Sequence, residues 1–497
     1  MRLSPLRRGL GPALAASLLL LGASACKRGD REGDTKVLVI GKELKLADPA
    51  AGELTAPQQV LLENIAQGLV RFDARGEIVP GLAERWNVSD DGLSYIFRIA
   101  SGDWPGGGHI TAKQIAALIA KQVASGSKNP LKDPLGAVSD VVAMTDRVIE
   151  IRLSAPRPNL LEVLAQPEFA LVKEGRGTGP FMLRDAKAKD GSLRLSREEP
   201  IPDSEDEKRE DLELGAADAT AAIVTYRSGG ADLVLGGRFT DLPYVHVAGI
   251  AKDAVRFDPV AGLFGLVPAK DGGPLADPEV RKLLSQAIDR QALIEVLQVP
   301  GLFPRGTVLQ AGLDGVADPV QPAWVGTPLD QRRASLVAAA DRIFGDKERP
   351  TLRVALPAGP GAKLLRNRLR KDWGAFGIGV EAVAPGEAAD LKLIDDVAPS
   401  SSPAWFLRHF RCGVSAICDP EIDALLEAAR SAQVPDQRWA LLADAARQID
   451  EQQFFLSLAA PVRWSLVAPR ITGFAGNRFA RHTLTGLQGP LSREGSD

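Results

Sequence analysis

A mixed helix and strand protein folded as at least two lobes is the class the sequence predicts, on three observations. The chain has 497 residues, and about 470 remain behind a leader-like N-terminus, more than one hydrophobic core usually serves. Short apolar or alternating runs of strand type are interspersed with longer stretches whose apolar residues recur at helical spacing. Asp91-Gly92, a strong turn signal, stands directly before one alternating run, as in a β-meander.

Residues 1–25 have the three-part form of a secretory leader: Arg2, Arg7 and Arg8, an apolar run from Leu14 to Leu21, then Gly22-Ala23-Ser24-Ala25 before Cys26. That run is shorter than the roughly 17 to 25 apolar residues of a membrane span, so cleavage is expected. Ala23-Ser24-Ala25 is an A-x-A site, and the same bond lies in a segment resembling a bacterial lipobox. Lipidation of Cys26 is the expectation, with residues 26–35 as a polar, unstructured tether. The alternative is plain secretion with Cys26 incidental.

Lys36–Ile40 is a short apolar run of buried-strand type, and Val60, Leu61, Ile65 and Leu69 give Ala56–Gly68 a helical spacing. Leu93, Tyr95, Phe97 and Ile99 alternate with Ser94, Ile96 and Arg98, the period of a half-buried strand. Gly177-Thr178-Gly179-Pro180-Phe181 is glycine-rich but lacks the Gly-Lys-Ser/Thr ending of a phosphate loop. The polar run Arg197–Glu213 reads as a solvated loop, since its acids lack calcium-loop spacing.

Asp277 can cap a helix whose first position suits Pro278 and whose first turn favours Glu279. Val280, Leu283, Leu284, Ala287 and Ile288 then form one apolar stripe. The pattern recurs at Asp419-Pro420-Glu421 with Ile422, Leu425, Leu426 and Ala429. Pro350–Leu356, Asp390–Ile394 and Phe454–Ala460 read as strands, and Lys363–Trp373 and Asp436–Glu451 as helices.

Loss of the leader would remove Arg2, Arg7 and Arg8 and take the formal net charge from −3 to −6. This mild acidity argues against nucleic acid as a partner, which needs clustered Lys and Arg. Besides Cys26 only Cys412 and Cys418 occur. In an exported chain their C-x5-C spacing reads as a local disulfide. A metal site would want a second pair or nearby histidines, and of His109, His246, His409 and His482 only His409 is close. No G-x-S-x-G, H-E-x-x-H or dinucleotide fingerprint occurs, so neither an enzyme nor a cofactor is expected.

The segment Asn64–Ala112 carries Gly68-Leu69, Pro80-Gly81-Leu82-Ala83-Glu84 with Trp86, and Asp90-Asp91-Gly92-Leu93 with Tyr95 and Phe97. Trp104, Gly107 and Thr111-Ala112 follow. In that register it resembles the signature of the family 5 extracellular solute-binding proteins, the dipeptide, oligopeptide and nickel-chelate receptors of bacterial ABC importers. Ala47-Asp48-Pro49, Gly177–Phe181, Tyr226–Gly229 with Ala231–Leu233, Pro274–Arg281 through Ala287–Arg290, and Phe410 with Cys412 and Cys418 match further family segments in order.

The resemblance implies a bilobal α/β fold of the periplasmic-binding-protein type, class II, with an extra domain inserted in the first lobe. Lobe I would comprise residues 36–58, 172–265 and 455–497, the inserted subdomain 59–171, and lobe II 266–454. Ligand would be enclosed as the lobes close about a hinge. The implied function is a monomeric receptor for a small solute or peptide, held at the membrane of the cell envelope or periplasm by its lipid and delivering to ABC permease subunits. The alternative is an envelope lipoprotein keeping the fold as a sensor or interaction module.

In peptide-binding relatives an aspartate of a "W-x-x-D" loop holds the ligand's ammonium. Here that aspartate falls at or near Ala398 in Asp395–Pro403, and no Trp precedes it. Losing one partner of a buried ion pair costs roughly 3 to 5 kcal/mol, or two to three and a half decades of affinity. Three explanations stay open: Asp395 or Asp396 supplies the charge after a small shift, the ligand lacks a free amine, or the protein has left solute uptake. Two adjacent aspartates on a Pro/Ser loop also fit a solvated turn. Glu43 and Leu44 follow the first strand, where relatives present an edge to peptide. Trp104 and Trp405 are candidate pocket walls, since an aromatic gives large apolar contact at little entropic cost.

Overall fold

The computed structural model describes residues 35–184, 191–200 and 207–487; the expected leader, Cys26 and nearly all of the tether lie outside them. Two large sheets organise the chain, as the bilobal α/β expectation requires. The first has seven strands in the order Met182–Leu183, Leu193–Pro200, Glu207–Ala217, Thr35–Ile40, Leu233–Arg238, Arg463–Val467, Val255–Phe257. Thr35–Ile40 runs parallel to both its neighbours, and the other pairings are antiparallel. The second sheet has five strands in the order Gly379–Val383, Thr351–Ala355, Leu391–Val397, Gly262–Pro268, Leu456–Ala459.

The chain crosses from the first sheet to the second between Phe257 and Gly262 and returns between Ala459 and Arg463. Two short crossings thus join the sheets, and a shared core runs between them, with the rings of Phe239 and Phe264 4.9 Å apart. A third sheet, antiparallel, takes Ala83–Val88, Ser94–Ile99, Val148–Leu153 and Val138–Thr145 in that order. The alternation read at Leu93–Ile99 is its basis: Tyr95, Phe97 and Ile99 are buried against Ile149 and Ile151.

The capping chemistry holds. Asp277 accepts from Glu279 N at 2.8 Å at the head of Pro278–Ala287, and Asp419 accepts from Glu421 N at 2.9 Å at the head of Pro420–Ser431. Val280, Leu283, Leu284, Ala287 and Ile288 are all buried. Asp289 then caps a further helix, Arg290–Leu297, through Ala292 N.

The first helix, expected to Gly68, ends at Ile65. Gly177 and Gly179 lie against its end: a Cβ on Gly179 would sit 2.4 Å from Ala66 N and from Ile65 C. Gly179 N and Phe181 N donate to the carbonyls of Ile65 and Asn64, satisfying the helix terminus with the backbone of the connection 178–181.

Two readings are corrected. Arg197–Glu213 is no loop: outside 201–206 it lies in the strands Leu193–Pro200 and Glu207–Ala217. Leu193 pairs with Leu214 and Leu195 with Leu212, and Arg197 with Glu210 continues that face as an ion pair of 2.6 Å. Charge density hid a period-2 pattern. Likewise the strand expected to end at Ile394 continues to Val397, so Asp395 and Asp396 are strand residues.

Candidate ligand-binding cleft

The two sheets and the third, smaller body enclose a cavity of about 740 Å³, within the range of small-ligand sites. The seven-stranded sheet contributes Gly236, Gly237 and Arg238 with Arg463, Trp464 and Ser465. Opposite them stand Asp396 and Val397 from the five-stranded sheet and Ala398, Pro399, Trp405, Arg408 and His409 just beyond it. Gln166, Glu168 and the segment Phe479–His482 complete the wall.

Alternation along Leu391–Val397 separates the two aspartates. Asp395 turns toward the first sheet, where its carboxylate meets Arg463 Nη1 at 2.8 Å and Arg238 Nε at 3.5 Å. Its carbonyl accepts from Arg463 Nη2 at 2.8 Å and Arg238 Nη2 at 2.9 Å. Burial lowers the pKa of the Arg463 guanidinium, an effect that Asp395 opposes. Asp396 points the other way and is exposed in the cleft, and its carboxylate makes no hydrogen bond or ion pair with any described residue.

The position expected to carry the ammonium-binding aspartate is apolar and closed. Ala398 is buried and its N–H is bound to Ala261 O at 2.8 Å. The following residues are clamped to the third body: Gln166 Nε2 donates to Pro399 O at 2.7 Å, and Glu162 accepts from Ser401 N at 2.6 Å and Ser401 Oγ at 2.8 Å.

Of the other sequence candidates, Trp405 is in place. Only 6% exposed, it faces the cleft and packs edge-on against Phe406 and His409. Leu44 and Trp104 are packing residues instead. Leu44 belongs to the core of the first sheet. Trp104 is 3% exposed, with its indole N–H given to Gln114 Oε1 at 3.1 Å and Lys173 over its ring. Glu43 lies outside the cleft lining, in a left-handed turn with φ 64°, paired to Lys45 at 3.2 Å. Cys412 and Cys418 are joined as a disulfide.

A family model described as "Bacterial extracellular solute-binding proteins, family 5 Middle" matches residues 77–394. The chain belongs to this family. A dipeptide-binding protein of Pseudomonas aeruginosa is 23% identical over 502 residues, covering 88% of this chain and 92% of that one. Among solved structures, Haemophilus influenzae OppA in complex with RPPGFSPFR superposes with a TM-score of 0.77 at 16% identity, covering 92% of this chain and 99% of that one. The Escherichia coli murein tripeptide binding protein MppA gives 0.75 at 18% identity, covering 90% and 97%.

Sequence reasoning about this solute-binding protein missed the cationic side of its cleft. Arg238, Arg408, Arg463 and Arg481 all line it. Arg481 lies 3.6 Å from Glu168 and 3.8 Å from Glu63, and its Nε donates to Gln166 Oε1 at 2.9 Å. Burial raises the Glu63 pKa to about 7, against the opposing pull of Arg481. His409 is pushed down to about 4 by burial and by Arg408, and gives its Nδ1 proton to Trp405 O at 2.9 Å. The one available signal was local: Arg408, His409 and Arg411 crowd the residues just before Cys412.

Proposed function

We propose that this chain is the solute-capturing component of an ABC importer. It takes a peptide or another small polar solute between its lobes and hands it to permease subunits at the envelope membrane. The observation that carries this reading is the charged cavity between two sheets joined by two short crossings, where a change of a few backbone dihedrals would open or close the cleft. The name of the dipeptide-binding relative and the peptide in the OppA complex favour a peptide.

Within that reading Asp396 is the carboxylate available to a ligand's ammonium, since Asp395 is already committed to two arginines. Trp405 supplies an apolar wall beside it. Lipidation of Cys26 would hold the monomeric receptor near its permease through the tether of residues 26–35. The proposed units of motion are lobe I, lobe II and the inserted 59–171, with the lobe boundaries moved from 265/266 and 454/455 to the two crossings, because Gly262–Pro268 and Leu456–Ala459 are strands of the five-stranded sheet.

The test is a thermal-shift screen of the Cys26→Ser protein against di- to hexapeptides, sugars and metal chelates. Occupancy at about a hundred times Kd stabilises by roughly 2.7 kcal/mol, which reads as a clear rise in Tm. No shift with any of these classes would end the reading.

A further inference from the structure

Beside the cleft lies a second cavity of about 500 Å³, between the third body and the helices Pro420–Ser431 and Pro435–Gln452. Trp405 and Arg408 line both cavities. Five arginines face this one, Arg157, Arg408, Arg411, Arg430 and Arg438, against three carboxylates, Asp133, Asp423 and Glu427.

The carboxylates are all engaged. Glu427 holds Arg430 through two hydrogen bonds of 2.9 and 2.8 Å, both oxygens of Asp423 accept from Cys412 N at 3.1 Å, and Asp133 lies 3.6 Å from Arg411 Nη2. Two arginines are satisfied by backbone: Arg157 donates to Pro156 O at 2.8 Å and Arg430 O at 2.7 Å, and Arg438 donates to Pro156 O at 3.0 Å. Arg408 is different. Its guanidinium makes no hydrogen bond or ion pair with any described residue, and its Nη1 is shut off from solvent. Arg411 Nε is likewise buried and unpartnered among the described residues.

A desolvated guanidinium without an acceptor is costly, and it persists where an anion completes it. Its planar fork fits a carboxylate in two parallel hydrogen bonds. We propose that Arg408, backed by Arg411, receives a carboxylate of the bound solute that reaches past Trp405 from the cleft, so that this receptor selects acidic ligands. The inference rests on the solute-binding reading above and names the class of solute.

Titration calorimetry of the Cys26→Ser protein against pairs differing by one charge tests it: Ala-Glu and Ala-Gln, glutarate and glutaramide, with inorganic phosphate as a further oxyanion. The acidic member is expected to bind about 10- to 100-fold more tightly, the worth of a charged hydrogen-bonded pair. Arg408→Met should erase that preference and leave the neutral member's affinity unchanged. It should also leave the unliganded Tm the same or higher, because the buried guanidinium gives up no hydrogen bond or ion pair to a described residue.

Equal binding within every pair, or a preference that survives Arg408→Met, overturns the proposal. So does a marked fall in the unliganded Tm, or Arg408-dependent binding of phosphate without either acid. If neither peptide binds while glutarate keeps its Arg408-dependent preference, the peptide reading fails and the acidic subsite stands.

Discussion

Asp395 and Arg463 tie the two large sheets together: the aspartate sits in a strand of the five-stranded sheet, the arginine in a strand of the seven-stranded sheet, and their side chains meet at 2.8 Å with 11% of each exposed. This pair occupies the place next to the cleft where a ligand amine would otherwise compete for the carboxylate. Removing Asp395 strands a buried guanidinium. Asp395→Ala is expected to destabilise by about 3 kcal/mol or more, as for one partner of a buried pair. Combining it with Arg463→Met should recover a good part of the loss, which urea denaturation of the four cycle members would read.

Asp396 should behave in the opposite way. It is exposed and unpaired, so Asp396→Asn is expected to change stability by no more than about 0.5 kcal/mol. If it meets a ligand's ammonium, the same change should weaken a free dipeptide at least about tenfold and leave its N-acetylated form unaffected. Calorimetry with both forms separates the outcomes, and equal losses for the two would remove Asp396 from ammonium binding.

What was legible in the sequence was local. The caps at Asp277 and Asp419 and the alternation at Tyr95, Phe97 and Ile99 are set by residues within a few positions, and they appear as read. The choice between Asp395 and Asp396 was not legible, because it depends on Arg463, 68 residues away, and on which strand face meets the first sheet. Arg408 escaped for a related reason. Its meaning comes from partners it lacks in three dimensions, whereas its neighbours in sequence look like any basic helix end.

The buried titrating groups predict a pH dependence with opposing contributions. Burial raises Glu63 from 4.5 to about 7 and Asp450 from 3.8 to about 7, so the fold holds more protons there than the unfolded chain does. Their contribution is fully present below about pH 4 and is lost as pH rises toward 7. His409, lowered from 6.5 to about 4, acts in reverse: it favours the fold above pH 6.5 and loses that contribution as pH falls toward 4. Two groups against one leave a net fall in stability from about pH 5 to 7. Glu63→Gln should flatten that fall and His409→Asn should steepen it, as measured by denaturation midpoints across the range. Unchanged profiles in both variants would contradict the burial argument.

Two glycines of the family-matching segments should fail for different reasons. Gly179 needs space: its added Cβ would meet Ala66 N, Ile65 C and Asn64 O at 2.4 to 2.6 Å, all backbone atoms of a helix end that also accepts hydrogen bonds from this connection. Gly107 needs only its conformation, φ +94°, with nothing within 4 Å of its Cβ position. Gly179→Ala is therefore expected to cost about 3 kcal/mol, at the upper end for overpacking, and to separate the 177–181 strand lead-in from the helix end. Gly107→Ala should cost about 1 to 2 kcal/mol, the penalty of a side chain at positive φ. Urea denaturation ranks them directly. The order matters more than the values, because a backbone clash at residues 64–66 strains the helix bordering the cleft, whereas strain at the Gly107 turn has no crowded neighbour through which to spread.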